Sequence, residues 1–388
     1  MRILQITKYY YPSVSFGGPV QCVHNLSKHM VKKGHDVTVY TTDAAHISTR
    51  ARIKKNYRLI DGVKVLYFPN VARRYGFFIS PGIVQALRQN LSRFDIVHLH
   101  EYRTFQNLAF YYSQKRNAPY VLTVHGQLEI RKETWDVHIL RRLFDYTFGR
   151  RLLKDASKIF ALTELESSQL IRRDVDKDKV VVIPNAVDPE DFRDLPPKGY
   201  FKKQLGLDNE EMILYLGRIS SLKGLDILVK AFSLLRRPDN CKLVLAGPDD
   251  GFSNSLHRIV ESLGLKGRVL FAGTLNRSQV LGALNDASVA VYATLQEGFP
   301  MVPLEAGIVG TPIIVSNHPS MDFVKKGQFG LGVDYENVAQ LREALERVLT
   351  DEELAAKLSE NGKRFVLNNF TWDRIATDVE SVYREATT

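Results

Sequence analysis

The chain has 388 residues, of which 44% are apolar and 25% charged, with two cysteines and a formal net charge of +10. That length exceeds one ordinary core and points to two domains, and the composition excludes a disordered chain. Cys22 and Cys241 lie far apart without C-x-x-C spacing, which argues against a disulfide framework or a thiolate metal site and leaves two buried thiols.

The opening Met1 to Pro12 turns polar too early for a signal-peptide core, and no stretch approaches about 18 uninterrupted apolar residues. A cytoplasmic protein is expected. The charge is lopsided: residues 1–190 hold 30 Lys and Arg against 17 Asp and Glu, and 191–388 hold 23 against 26. An anionic partner for the first half is implied.

Short apolar, β-branched runs recur at 2–7, 36–42, 63–69, 95–100, 120–125, 158–163 and 180–185, with amphipathic helical patterns such as 19–33 between them. Continuous hydrophobic strands separated by helices are buried on both faces of a mostly parallel sheet. An acidic, proline-bearing stretch at 188–198 reads as a loop, and the alternation then restarts at 212–217, 242–248, 268–273, 289–294, 312–316 and 330–334. Helical patterns at 338–349, 351–361 and 372–386 close the chain. The expected architecture is α/β, with two tandem Rossmann-like domains at 1–190 and 191–370 and a C-terminal helix, 371–388, packing back on the first. Ligands of such sheets sit beyond the carboxyl ends of the strands, so an interdomain cleft is expected.

Phe16-Gly17-Gly18-Pro19 follows the first strand and precedes the first helix. Its glycines admit a ligand to the backbone and the helix N-terminus offers N–H groups to an anion; an ordinary Gly-Gly-Pro turn fits the same residues. The absence of G-x-G-x-x-G argues against a dinucleotide fingerprint. After 212–217 comes Gly217-Arg218-Ile219-Ser220-Ser221-Leu222-Lys223-Gly224-Leu225-Asp226. A guanidinium and an ammonium just past a strand end suit a diphosphate clamp, and also suit a solvated basic loop. After 289–294 comes Glu297-Gly298-Phe299-Pro300-Met301-Val302-Pro303-Leu304-Glu305-Ala306, with a helix beginning near Met301. Carboxylates at E-x7-E spacing can face one ligand as acceptors for sugar hydroxyls, or be solvated helix-entry acids.

Taken together, Glu297 to Glu305, Gly217 to Gly224 and the Gly17-Gly18 turn resemble the family 4 retaining glycosyltransferases (glycosyl transferases group 1) of the GT-B fold. The likeness spans nearly the whole chain and includes Thr123-Val124-His125-Gly126, Ala161-Leu162-Thr163-Glu164, Pro184-Asn185-Ala186-Val187-Asp188 and Phe370-Thr371-Trp372. It implies that Arg218 and Lys223 hold the donor diphosphate and that Glu305 binds the ribose. Glu297, His125 and the backbone of Phe299, Pro300, Met301 and Val302 would hold the transferred sugar. Gly17, Gly18 and Asn185 would line the donor site, and Thr274 and Leu275 would meet the base. The resemblance further implies hexosyl transfer with retention from a UDP- or GDP-sugar to a saccharide or lipid-linked acceptor, without metal or other cofactor. Ala186 and Pro300 stand where many relatives have glycine, and Asn317-His318-Pro319-Ser320-Met321-Asp322 replaces a Gly-Gly loop, which leaves the sugar open.

Asp174-x-Asp176-x-Asp178 imitates a calcium loop but has Lys179 in place of the glycine and Asn185 in place of the final glutamate, so it reads as a surface turn. His98 and His100 share a strand face without a third ligand, which favours a structural pair over a metal site. Arg50, Arg52, Lys54, Lys55 and Arg58 form one basic cluster, and Arg73-Arg74 adjoins Tyr75-Gly76-Phe77-Phe78-Ile79. Arg141, Arg142, Arg150, Arg151 and Lys154 fall on one helical stretch. Cations beside aromatics suit an anionic membrane surface, on the inner face of the cytoplasmic membrane, or a lipid-linked phosphorylated acceptor, or an ordinary solvated face; no nucleic-acid motif accompanies them. Two rivals remain at this level, a sugar-nucleotide epimerase of the same architecture and a non-catalytic sugar-nucleotide-binding protein.

Overall fold

The computed structural model describes residues 1–46, 49–74, 76–114, 118–128, 135–236, 240–295 and 297–388; Tyr75, inside the basic and aromatic run, lies outside them. The chain divides into two units, Met1–Ala186 with Trp372–Thr388, and Val187–Thr371.

The strands of the first unit are β1 (Arg2–Ile6), β2 (Asp36–Thr42), β3 (Tyr57–Ile60), β4 (Val63–Phe68), β5 (Ala72–Arg74), β6 (Phe77–Ile79), β7 (Ile96–His100), β8 (Tyr120–Thr123), β9 (Lys158–Ala161) and β10 (Val180–Val182). Eight of them form one sheet in the order β10-β9-β8-β7-β1-β2-β4-β3. β7 and β8 are buried along their whole length, which is why they read as unbroken apolar runs. The apolar-run pattern does not anticipate β3, the antiparallel partner of β4, or the β5–β6 hairpin. Tyr57 and Leu59 are exposed, so this edge strand shows no buried run. The helix Trp372–Thr387 belongs to this unit and buries Ile375, Val379 and Tyr383, while Glu380 pairs with Lys33 at 3.0 Å and His35 at 3.2 Å.

The second unit has β11 (Glu211–Leu216), β12 (Cys241–Ala246), β13 (Val269–Gly273), β14 (Val289–Tyr292), β15 (Ile313–Ser316) and β16 (Gly330–Val333). They lie in the order β13-β12-β11-β14-β15-β16 and all pair in parallel. The segment read as a loop at 188–198 is partly structured: Asp188 caps a 3-10 turn, Pro189–Phe192. The Asp286 carboxylate then accepts from the backbone N–H groups of Gly199, Phe201 and Lys202 at 2.6–3.0 Å. The unit begins and ends side by side, since the Val187 N–H donates to the Phe370 carbonyl at 2.9 Å. One helix outruns its expected end at 361 and spans Glu352–Asn369. Gly362 does not stop it, because that glycine is a contact point: a Cβ there would sit 3.0 Å from the Cα and O of Gly307 on the neighbouring helix.

Among the parallel strands of the two large sheets the order reverses between β1 and β7 and between β11 and β14. Connections leaving neighbouring strands in opposite directions open a crevice at the strand carboxyl ends, and chemistry is expected there.

Candidate functional site

In the second unit the crevice is built from three loops tied edge to edge. The Gly217 N–H donates to the Ala246 carbonyl at 2.9 Å, and the Gly247 N–H to the Gly273 carbonyl at 2.7 Å. Gly247 has φ +144°, and a Cβ on it would lie 1.9 Å from the Gly217 carbonyl oxygen, so no side chain fits between the loops after β11 and β12. Gly224, at φ +63°, ends the 3-10 turn Ser221–Lys223 and begins the helix Leu225–Ser233.

This turn directs the nearly buried Lys223 ammonium to Glu297 Oε2, across the reversal from the loop after β14. The Tyr292 hydroxyl donates to the same oxygen at 2.8 Å, and Lys223 Nζ lies 5.5 Å from the Tyr292 ring centroid. Burial first, and the Glu297 charge second, push the Tyr292 phenol well above its ordinary range, which keeps its proton in place as a donor. Tyr215 stacks parallel to Tyr292 at 6.4 Å and donates to the Arg218 carbonyl at 2.8 Å. Arg218 itself points to solvent, its guanidinium 2.6 Å from Asp250.

The helix Met301–Val309 starts after Pro300 without a side-chain cap, so its first N–H groups meet no capping side chain. Phe299 and Pro300 are buried, with Phe299 stacked on Phe323 at 5.0 Å; Met301 and Val302 are half-buried. Glu305 stands outside the Lys223 network and accepts from Arg277 at 2.7 Å. Burial raises its carboxyl above the ordinary value, and Arg277 opposes that shift. Thr274 is exposed and Leu275 half-buried, in the turn before the helix Arg277–Asp286, which a reciprocal Asn276–Gln279 capping box starts.

The first unit carries a second polar crevice, between β1 and β7. Gly17, at φ +84°, caps the helix that Gly18 opens, with open space where a Cβ would stand. Lys8 and Glu101 pair at 2.9 Å across the reversal, and Tyr9 and Gln127 also donate to Glu101 Oε1. His125 sits at φ +54°, and a directional chain of hydrogen bonds leads away from it. Neutral tautomers satisfy every link: His125 Nε2 donates to His100 Nδ1 (3.1 Å), His100 Nε2 to the side-chain Oε1 of Gln5 (2.6 Å), and Gln5 Nε2 to the Tyr383 oxygen (3.2 Å). The Tyr383 proton then goes to His98 Nδ1 (2.6 Å), and His98 Nε2 donates to Thr123 (2.7 Å). Burial lowers His125 to about 4, with Lys8 adding to the effect and Glu101 opposing it, and takes His98 and His100 well below their ordinary value. Asn185 is buried in the same unit.

Residues 16–191 match the family described as Glycosyltransferase Family 4, and residues 198–365 match Glycosyl transferases group 1. The chain belongs to this glycosyltransferase family. An uncharacterised glycosyltransferase of Methanocaldococcus jannaschii is 26% identical, covering 100% of this chain and 98% of its own. Among solved structures, the sucrose-phosphate synthase of Thermosynechococcus elongatus superposes with a TM-score of 0.80 at 22% identity, over 99% of this chain and 98% of that one. HepE of Anabaena, in complex with UDP-glucose, gives 0.76 at 19% identity, over 99% and 100%. The fold is GT-B, and the glycosyltransferase is an enzyme of that class.

In this glycosyltransferase both nitrogens of His98 and of His100 are engaged by protein groups, so the pair is structural. The aspartate run is likewise a turn, in which Asp176 accepts from the Asp178 N–H. Among the described residues no group of three His, Cys, Asp or Glu side chains is placed to hold a metal, and no helix is long and apolar enough to cross a membrane. Both cysteines are buried, their thiols pushed up to about 12.

Sequence reasoning missed Asp250, Arg277 and Glu101, whose partners are distant in sequence, and Tyr292, which lies five residues before its partner Glu297 on a strand that reads only as an apolar run. It also missed Glu166, although Thr163-x-x-Glu166 carries a capping-box spacing. Thr163 does accept from the Glu166 N–H, while the Glu166 carboxylate reaches the backbone N–H groups of Gly126 (2.5 Å) and Leu162 (2.7 Å). It thereby fixes the turn that carries His125. Burial raises this carboxyl to about 7, against the lowering effect of those two backbone bonds.

Proposed function

We propose that the glycosyltransferase moves a hexose or hexose derivative from a UDP- or GDP-linked donor to a saccharide or lipid-linked acceptor, with retention and without metal. The proposed setting is cytoplasmic synthesis of a surface polysaccharide or glycolipid. The observation that carries this reading is the grouping of Lys223, Glu297 and an uncapped helix N-terminus at the carboxyl ends of β11 and β14, with Arg218 on the loop after β11 held outward by Asp250. As the bond from the anomeric carbon to the diphosphate breaks, negative charge builds on the leaving phosphate. Fixed cations and backbone N–H groups aimed there lower the barrier without reorganising. Glu297 is the acceptor for a sugar hydroxyl, and a ligand that takes up Glu297 leaves the Lys223 ammonium to the phosphate.

Glu305 would take the ribose hydroxyls, Thr274 and Leu275 the base, and the turn from Phe299 to Val302 the sugar. In the first unit, neutral His125, its Nε2–H given to His100, would accept a hydrogen bond from a sugar hydroxyl at Nδ1, and the Gly17–Gly18 helix start offers N–H groups to an anion. HepE, similar in fold and solved with UDP-glucose, supports a uridine diphosphate sugar as the first donor to try.

Arg218→Ala tests the reading. Both Arg218 and Asp250 are about half exposed, so stability should move by no more than about 0.5 kcal/mol. Turnover should fall by about 10² to 10³. Wild-type turnover in that variant would remove Arg218 from the mechanism, and a thermal-shift series with UDP, GDP and ADP would identify the nucleotide.

A further inference from the structure

One surface of the first unit is unaccounted for by the transfer reaction. From Trp135 to Asp155 the chain is helical in three joined pieces, Trp135–Phe144, a π-turn at Asp145–Gly149, and Arg150–Asp155. The inner side buries Phe144, Phe148, Leu152 and Leu153. Gly149 allows close approach there, since a Cβ on it would collide with the Tyr102 hydroxyl at 2.1 Å. The outer side is not polar as a solvated helix should be. Trp135 (79% exposed), Ile139 (44%), Leu143 (56%) and Tyr146 (76%) follow one another at spacings of four, four and three. At about 100° per residue they fall within an arc of about 80°, a continuous apolar stripe turned to solvent.

Cations flank the stripe. Arg142, Arg150, Arg151 and Lys154 are exposed on the same helical stretch, and Arg150 lies 6.0 Å from the Tyr146 ring. Beside Tyr146 a surface pocket of about 420 Å³ is lined by Arg142, Arg150, Arg172 and Arg173. Its two acids are Asp145 and Asp174, and Asp145 already holds Arg103 at 2.6 Å and Arg173 at 3.3 Å. Neither Arg142 nor Arg150 is paired with a carboxylate among the described residues.

From this arrangement we infer that the helical stretch Trp135–Asp155 docks the enzyme on the surface of an anionic phospholipid bilayer. The Trp135, Ile139, Leu143 and Tyr146 side chains enter the headgroup and acyl boundary, and a lipid phosphate sits in the arginine-lined pocket. The apolar stripe decides for a bilayer over a soluble polyanion, because a polyanion would match the arginines and leave four large apolar side chains in water. The charge excess of residues 1–190 adds attraction to the same surface. Docking is separate from the transfer chemistry and stands or falls without an activity assay.

The chain holds two tryptophans, Trp135 in the stripe and Trp372, which is buried. Trp135 is therefore a built-in reporter. The full chain is mixed with vesicles of phosphatidylcholine alone or with about one third phosphatidylglycerol, and read by sedimentation and tryptophan fluorescence. Docking predicts co-sedimentation and a blue shift with the anionic vesicles, a weaker response at high salt, and loss of the shift in Trp135→Phe. Partitioning should fall about tenfold or more in Ile139→Glu/Leu143→Glu and in Arg142→Gln/Arg150→Gln. All the substituted side chains are exposed, and unchanged circular dichroism confirms that each variant folds. No sedimentation with anionic vesicles overturns the proposal. So does binding without a blue shift, or binding that both double variants retain. Capture by heparin with Trp135 still solvated would assign the arginines to a soluble polyanion instead.

Discussion

Replacing Lys223 by methionine separates structural from catalytic work at the site. The ammonium is 8% exposed and its partner Glu297 23% exposed, so the substitution leaves a mostly desolvated carboxylate with, among the described residues, the Tyr292 hydroxyl as its side-chain donor. Removing one member of a fully buried pair costs about 3–5 kcal/mol, and residual solvent access moves this case to the lower end, about 2–3 kcal/mol. Methionine preserves most of the packing of the stem, and loss of the cation over the Tyr292 ring adds about 0.5–1 kcal/mol. Lys223→Met is therefore expected to destabilise the second unit by about 3 kcal/mol. The double variant Lys223→Met/Glu297→Gln removes the orphan charge and should return to within about 1 kcal/mol of the parent. Turnover should be lower by about 10² or more in both. Urea unfolding followed by hydrogen exchange of peptides 211–233 and 289–309 confines the measurement to this unit. A double variant as unstable as the single one would refute the charge-pair account. Wild-type turnover in either would refute the catalytic one.

Acid should unfold the first unit early. His125 is lowered to about 4 from an ordinary 6.5, so the unfolded chain binds the extra proton between those values. Its contribution, about 3 kcal/mol, is complete above pH 6.5 and disappears as pH falls towards 4. Thermal midpoints across that range should fall less steeply in His125→Gln than in the parent, and parallel curves would contradict the burial argument. Tyr383→Phe leaves Gln5 and His98 each short of one partner inside the core, at a cost of about 1–3 kcal/mol in thermal or urea unfolding. A cost below about 0.5 kcal/mol would mean that the chain of bonds from His125 to Thr123 is not formed as drawn.

The strands were legible where both faces are covered. β7, β8, β14 and β15 are buried throughout, and their unbroken apolar runs were read with bounds close to those observed. β3 was missed because an edge strand with Tyr57 and Leu59 in solvent has no such run. The helix Glu352–Asn369 runs past the expected 361 through Gly362, whose close packing on Gly307 of the neighbouring helix is out of view in the sequence. The site divided in the same way. Arg218, Lys223, Glu297 and Glu305 stood out because their spacing from strand ends is local information. Nothing local pairs Lys223 with Glu297, Arg277 with Glu305, or Gly126 with Glu166.

The chain by itself therefore determined the alternation of β and α elements, the glycines at strand ends and the residue types able to meet a sugar and a phosphate, since each depends on periodicity or on a few neighbouring residues. Tertiary structure decided the rest. It set the strand order that puts β11 beside β14, and it brought Tyr383 from the last helix to His98 on β7, 285 residues away in the chain. It also left Trp135, Ile139, Leu143 and Tyr146 facing water. An apolar helical stripe has the same period whether it faces a core or a solvent, and only the packing of the chain determines which.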